Sequence, residues 1–360
     1  MKSFFSIVLL ALPLLQADAA TKLNIDTKRY ARICANRAPV EDNDKRAHAI
    51  IRLAIESSSL TSILSKESPQ HKAMCWMIHD DPRKVDPRGN KAKFLERYAL
   101  VALYSNTKGP GWSRSDNWVT KESECDWYGI KCSRPMFSMK PRVTAIDLGF
   151  NKVTGIIPAE IGYLTELTDL DMNGNSLQGV LPQLMFRNLK KLKRLNLHMN
   201  DLFGGIPKEL GLLKNLKELT LFGNFFFGPV PNELSNLKKL ENLDLYANNL
   251  TGQVPSSLGK LKNLSKYYFL TIGIAFPTLC INVLIIFALF NTVEEFYIND
   301  NEVSGRMPKE ICNLKLPHLV SDCLGARPEV PCECCTVCCQ GLPDPKCVDM
   351  RTQKTQKKKK

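Results

Sequence analysis

Two groups of side chains in this 360-residue chain are of types that do chemistry. The first is strung along the middle of the sequence, where Asp171, Asn196, His198, Phe222, Asp244 and Tyr246 recur at intervals near 24 residues or small offsets from them. Two carboxylates such as Asp171 and Asp244 can act as acid and base in glycoside cleavage, but that chemistry needs a closed pocket to shift a pKa. The second group is the cysteine run Cys312, Cys323, Cys332, Cys334, Cys335, Cys338, Cys339 and Cys347. Its C-x-C-C-x2-C-C core has spacing that could hold zinc or copper, or close disulfides. The sequence contains no nucleophile elbow, phosphate loop or zinc-protease signature, so a binding protein without a cofactor is expected rather than an enzyme.

The elements that must position the first group follow from an internal repeat. Asn151, Asn175, Asn200, Asn224, Asn248 and Asn301 are separated by 24, 25, 24, 24 and 53 residues. Ahead of each stands an alternating apolar pair, from Ile146 and Leu148 through Leu243 and Leu245 to Phe296 and Ile298, which is the signature of a short strand with one buried face. Behind each come an apolar residue, a glycine and a proline at fixed offsets, and these resist helix and favour a turn. Each asparagine is placed to satisfy backbone groups where the chain bends. The solvent-side columns then read Asp147, Asp171, Asn196, Thr220, Asp244, Tyr297 and Gly149, Asn173, His198, Phe222, Tyr246, Asn299. In them His198, Phe222 and Tyr246 form an aromatic strip with acidic margins, suited to a protein surface or a glycan.

The pattern L-x-x-L-x-L-x-x-N-x-L-x-G-x-I-P, carried by residues 143 to 325 with one interruption, resembles the plant-type leucine-rich repeat. The resemblance implies an α/β solenoid: a right-handed coil with a parallel sheet on its concave side, a helical N-terminal region and disulfide-rich caps. Trp112, Trp118, Cys125, Trp127 and Cys132, just before the first rung, look like the amino-terminal cap of that family, in which a disulfide pins the aromatic residues. Residues 44 to 104 carry apolar positions three and four apart and are expected as helices packed on this cap. Cys34 and Cys75 are expected to form a disulfide there, although spacing alone does not establish pairing. Ligand recognition by the concave face, as in plant-type repeat receptors and cell-wall enzyme inhibitors, is what the resemblance implies. A structural or adhesive wall protein is the alternative.

The start of the chain, Met1-Lys2, the apolar run Phe4 to Leu15 and then Ala17-Asp18-Ala19, reads as a secretory signal, with a mature start at Ala20. Thirteen cysteines behind such a signal fit an oxidising compartment and favour disulfides over metal in the tail. The net charge is +13, but Arg351, Lys354 and Lys357 to Lys360 account for six, so nucleic acid is not an expected partner. The expected domains are a signal at 1–19, a helical region at 20–104, a cap at 105–142, repeats at 143–264, a hydrophobic insert at 265–293, a last repeat at 294–311, a cysteine-rich cap at 312–347 and a basic tail at 348–360.

The insert is uncharged from Tyr267 to Phe290, long enough for a membrane helix, yet it interrupts two halves of one rung. Three readings stand: a retained intervening sequence, a membrane helix through 267–290, and a buried or looped insertion. Removing it drops Cys280 and leaves twelve cysteines. Sequons occur at Asn249 and Asn263, the second of which vanishes with the insert. The expected partners are an extracellular protein, peptide or polysaccharide, and the expected location is extracellular or at the cell surface.

Overall fold

The computed structural model describes residues 27–134 and 140–250 except Ala31, Ala35, Asn36, Ser59 and Tyr246. It also describes Pro255, Ser257, Leu258, Leu261 and Asn263, and the backbone of strands at 266–268, 295–298, 318–321, 337–340 and 346–349. The signal at 1–19, Asn301 and most of the insert lie outside the described residues.

Four helices open the described chain: α1 (Lys45–Ser57), α2 (Leu60–Leu64), α3 (Pro69–Cys75) and α4 (Lys91–Asn106). Side chains cap three of them: Asp44 accepts from Ala47 N at 2.8 Å, Ser68 from His71 N at 3.0 Å and Asn90 from Lys93 N at 2.9 Å. The periodic positions Ala47, Ile50, Ile51 and Ala54 of α1 and Phe94, Tyr98, Ala99, Ala102 and Leu103 of α4 are fully buried, which is why these segments are helical. Cys34 and Cys75 are joined, tying the chain ahead of α1 to the end of α3.

The repeats build a sheet from β1 (Ile130–Cys132), β2 (Val143–Asp147), β4 (Asp169–Asp171), β6 (Arg194–Asn196), β8 (Glu218–Thr220) and β10 (Asn242–Asp244). All neighbours from β2 onward are parallel and in register, with Ile146, Leu170, Leu195, Leu219 and Leu243 side by side. Each of these five, and each second apolar residue from Leu148 to Leu245, is fully buried. A lateral sheet follows on the next side of the coil, from β3 (Thr154–Ile156), β5 (Ser176–Gly179), β7 (Asp201–Gly204), β9 (Phe225–Gly228) and β11 (Asn249–Leu250). The third side is a row of short 3-10 turns, Ala159–Tyr163, Gln183–Arg187, Lys208–Leu212 and Asn232–Asn236, each directly preceded by proline. Proline has no N–H to lose at that point and holds a φ near its own preferred value.

Helix α4 packs against the first of these turns, so the helical region occupies the place of a preceding rung on the outer side. Glu160, almost wholly buried in that turn, accepts from Ser58 Oγ at 2.6 Å and Gln70 Nε2 at 3.0 Å, and Tyr163 donates to Ser57 O. At the open end of the sheet, Trp118 packs against Trp112 and Trp127, with ring centroids 4.9 Å apart in each case, and Tyr104 joins them at 5.2 Å from Trp112. The Cys125–Cys132 disulfide sits beside this cluster.

Beyond β10 the sheet takes up β12 (Lys266–Tyr268), in register with Asn242–Asp244, and then β13 (Glu295–Ile298). Strand β12 falls within the expected insert, three residues of which thus pair as a further rung of the sheet. Tyr267 falls 24 residues after Leu243, so an aromatic residue occupies the register position that leucine holds in earlier rungs. Strands β14 (His318–Ser321), β15 (Val337–Gln340) and β16 (Lys346–Asp349) continue the sheet, the last pair antiparallel with Cys339 opposite Cys347. Side chains of the cysteine-rich tail lie outside the described residues. Among the described residues no helix is long and apolar enough to cross a membrane, and 269–294 lie outside them.

Candidate functional site

The asparagines form a ladder that fixes the bend after every strand. Asn175 Oδ1 accepts from Asn151 N at 3.0 Å and Val153 N at 2.9 Å, while its Nδ2 donates to the carbonyls of Leu148, Met172 and Asn173. Asn200, Asn224 and Asn248 repeat this, accepting from Leu177 N, Leu202 N and Phe226 N one rung back and donating to carbonyls of both rungs. At the first rung Asn151 instead accepts from Arg114 N at 2.7 Å and donates to Arg114 O, so the cap stands in for a missing rung.

With the bends fixed, the residues between and after the buried strand positions line up across the sheet. Asn173, His198 and Asn196 form one chain of hydrogen bonds with Asp171: Asn173 Nδ2 lies 3.3 Å from His198 Nε2, His198 Nδ1 lies 2.6 Å from Asn196 Oδ1, and Asn196 Nδ2 donates to Asp171 Oδ2 at 3.0 Å. Since the amide of Asn173 is a donor and Oδ1 of Asn196 an acceptor, the neutral imidazole carries its proton on Nδ1. Gly149 makes room for this arrangement, because a Cβ there would stand 2.5 Å from Asn173 Oδ1. Arg194 reaches Asp171 at 3.8 Å and Asp169 at 3.3 Å.

His198 stacks face to face on Phe222, with centroids 4.3 Å apart and planes at 11°. Burial lowers the imidazole pKa from its ordinary value, against the opposing pull of the Asp171 and Glu218 carboxylates. Asn196 is buried, whereas Asp171, His198, Phe222 and Asp244 are half-exposed. Tyr246 lies outside the described residues, so the expected third ring of the strip is not placed.

Asp171 and Asp244 lie on β4 and β10, three strand spacings apart, about 14 Å at ~4.8 Å per strand. That is too far for the two carboxylates of a glycosidase, which flank one bond at roughly 5–9.5 Å. Among the described residues no three His, Cys, Asp or Glu side chains group as metal ligands. The geometry is that of an aromatic face beside a polar set already held by its own hydrogen bonds.

The leucine-rich repeat family model matches residues 215–237 and 239–261, two successive rungs of this sheet and its ladder. The chain carries leucine-rich repeats, similar to those of plant proteins. It is 34% identical over 102 residues to phytosulfokine receptor 1 of Arabidopsis thaliana, covering 28% of this chain and 10% of that protein. It is 34% identical over 123 residues to leucine-rich repeat extensin-like protein 2 of the same plant, covering 33% of this chain and 15% of that protein. The chain thus spans only a small part of the curated relatives it matches. Among solved structures, the ectodomain of the Arabidopsis thaliana receptor kinase SOBIR1 aligns over 48% of this chain and 90% of its own, at 28% identity and a TM-score of 0.42.

Of the residues expected on the concave face, the structure brings Asp171, Asn196, His198 and Phe222 into one contiguous patch. Asn173 and Arg194 complete the patch and were not singled out as site residues. The signal for Asn173 was its place in the His198 column, and that for Arg194 its place two residues before Asn196 on the same strand face. A buried charge cluster was missed altogether. Arg97 of α4 is fully buried between the rings of Trp76 and Trp127, at 5.2 and 5.1 Å. It pairs with Asp81 at 2.9 Å and Glu124 at 2.8 Å and donates to Thr120 O and Glu122 O. This cluster locks the helical region onto the cap and so supports the first rung.

Proposed function

We propose that the concave sheet binds an extracellular protein or peptide through Asp171, Asn173, Asn196, His198 and Phe222, with Asp244 and Tyr246 of the fifth rung extending the surface. The observation that carries this reading is the His198–Phe222 stack set against the hydrogen-bonded chain ending at Asp171. A purely structural sheet needs only polar residues at these positions; two stacked rings with locked polar neighbours offer a flat apolar contact whose ordering cost has been met before a ligand arrives. The match to a protein named as a receptor supports binding as the kind of activity. The two disulfides in the described residues accord with an extracellular or cell-surface setting.

The test is selection of ligands from a displayed peptide library by the full chain, followed by affinity measurement on His198→Ala, Phe222→Ala and the double variant. At least a tenfold loss with the melting temperature unchanged is expected. Selected peptides that bind the double variant as tightly as the parent would remove this patch from the reading. Binding of oligosaccharides but not peptides would redirect it to a glycan.

A further inference from the structure

The lateral sheet carries an exposed apolar row that neither the core nor the concave patch uses. Phe225 and Phe227 on β9 are each 54% exposed, and Phe203 on β7 is 47% exposed, while Phe226 and Leu202 between them point into the core. The register sets Phe203 beside Phe225 and Asn249 beside Phe227. Asn249 is itself exposed and on the same side as the rings, because its neighbour Leu250 is buried. It also opens the sequence Asn249-Leu250-Thr251, an N-glycosylation acceptor.

We infer that Asn249 carries an N-linked glycan whose first sugar lies on Phe227 and Phe225, covering the apolar row. In the transfer, Asn249 Nδ2 bonds to C1 of an N-acetylglucosamine supplied by a lipid diphosphate-linked oligosaccharide. The C1–O bond to the diphosphate breaks, the lipid diphosphate leaves with the electron pair, and the amide nitrogen gives up one proton to the medium. Adjacent strands stand about 4.8 Å apart, so the first ring starts within contact distance of Phe227. A pyranose presents a face of C–H groups that packs on an aromatic face, while its hydroxyls stay in water. The tether of a few bonds gives that contact an effective concentration in the millimolar range or above, so a weak attraction suffices to hold it. An apolar row left bare beside the polar surface of a secreted chain would instead favour association.

The inference is independent of the concave site. It is tested with the full chain expressed behind a secretory leader in a eukaryotic host, by peptide mass mapping and thermal melting. Mapping is expected to find Asn249 carrying the oligosaccharide. Thr251→Ala, which removes the acceptor but keeps Asn249, is expected to lower the melting temperature by about 2–4 °C. The same change in a background carrying both Phe225→Thr and Phe227→Thr is expected to shift it by less than about 1 °C, since the two rings the sugar rests on are gone. In the unaltered chain, nuclear Overhauser contacts are expected between the acetyl methyl of the first sugar and the Phe227 ring. An unmodified Asn249, equal shifts in both backgrounds, or absence of those contacts would each overturn the inference.

Discussion

His198 accepts from one amide at Nε2 and donates to another at Nδ1, so protonation turns Nε2 from an acceptor into a second donor facing Asn173 Nδ2. Burial and this donor conflict both oppose the charged form, while Asp171 and Glu218 favour it. The folded pKa therefore lies below the unfolded value of about 6.5. Between those two values the unfolded chain binds more protons, so the stability from the neutral ring is whole above pH ~6.5 and is lost as pH falls through that window. Imidazole proton shifts followed by NMR are expected to give a midpoint below 6.5. Asn173→Asp should move it upward by placing an acceptor and a negative charge at Nε2. Arg97 offers a second expectation at this scale. Truncating it to alanine leaves Asp81 with Arg46 at 3.7 Å and Glu124 with Lys93 at 2.5 Å but removes the fully buried charge between them, and is expected to cost about 3 kcal/mol, read from urea unfolding.

A ladder asparagine ties together two strands and a lateral turn. Asn200 makes bonds to Leu177 N and to the carbonyls of Met172, Leu197 and His198. Its replacement by leucine buries a side chain that can answer none of them, and a loss of at least ~3 kcal/mol is expected at denaturant midpoint. Just before each ladder asparagine the chain enters left-handed backbone: Phe150, Gly174, Met199, Gly223 and Ala247 all have φ between 48° and 64°. Glycine fills the position twice, while the other three carry the strain that a Cβ brings there. Ala247→Gly is expected to raise stability by up to about 1 kcal/mol, seen as a higher melting temperature.

The same elements mark what could be read in advance. Strand positions, turns and ladder were legible because one buried residue every second place and one asparagine every 24 or 25 leave a periodic trace. Arg97 was not legible, since a charge amid the apolar stripe of α4 gives no sign of the two rings and two carboxylates that reach it from distant segments. Strand Lys266–Tyr268 was also hidden, because Tyr267 and its aromatic neighbours read as the start of a foreign hydrophobic stretch rather than as a repeat with altered residues.

At the scale of the molecule, each rung covers its neighbour and the two ends must be closed by something else. The helical region closes the first rung through α4, Glu160 and Tyr163, and the tryptophan cluster closes the sheet beside it. A chain begun at Lys108, lacking the helices, is expected to bind a hydrophobic dye and to melt without a single sharp step, because the buried Ile161, in the turn on which α4 packs, loses its cover. Retention of one sharp transition in that fragment would show that the repeats close themselves.

Two of the three walls of the coil are sheets, and a strand occupies about 4.8 Å of length on either one. Only the wall of short turns has freedom to fan outward, and those turns are slimmer than α-helices, which pack at about 8–10 Å. The arc is therefore shallow, and extra rungs lengthen it without bringing its ends together. An extended guest lying across the rungs would meet one side chain per step along a nearly straight track, so its reach along the protein would grow with the number of rungs and not with the depth of any cavity.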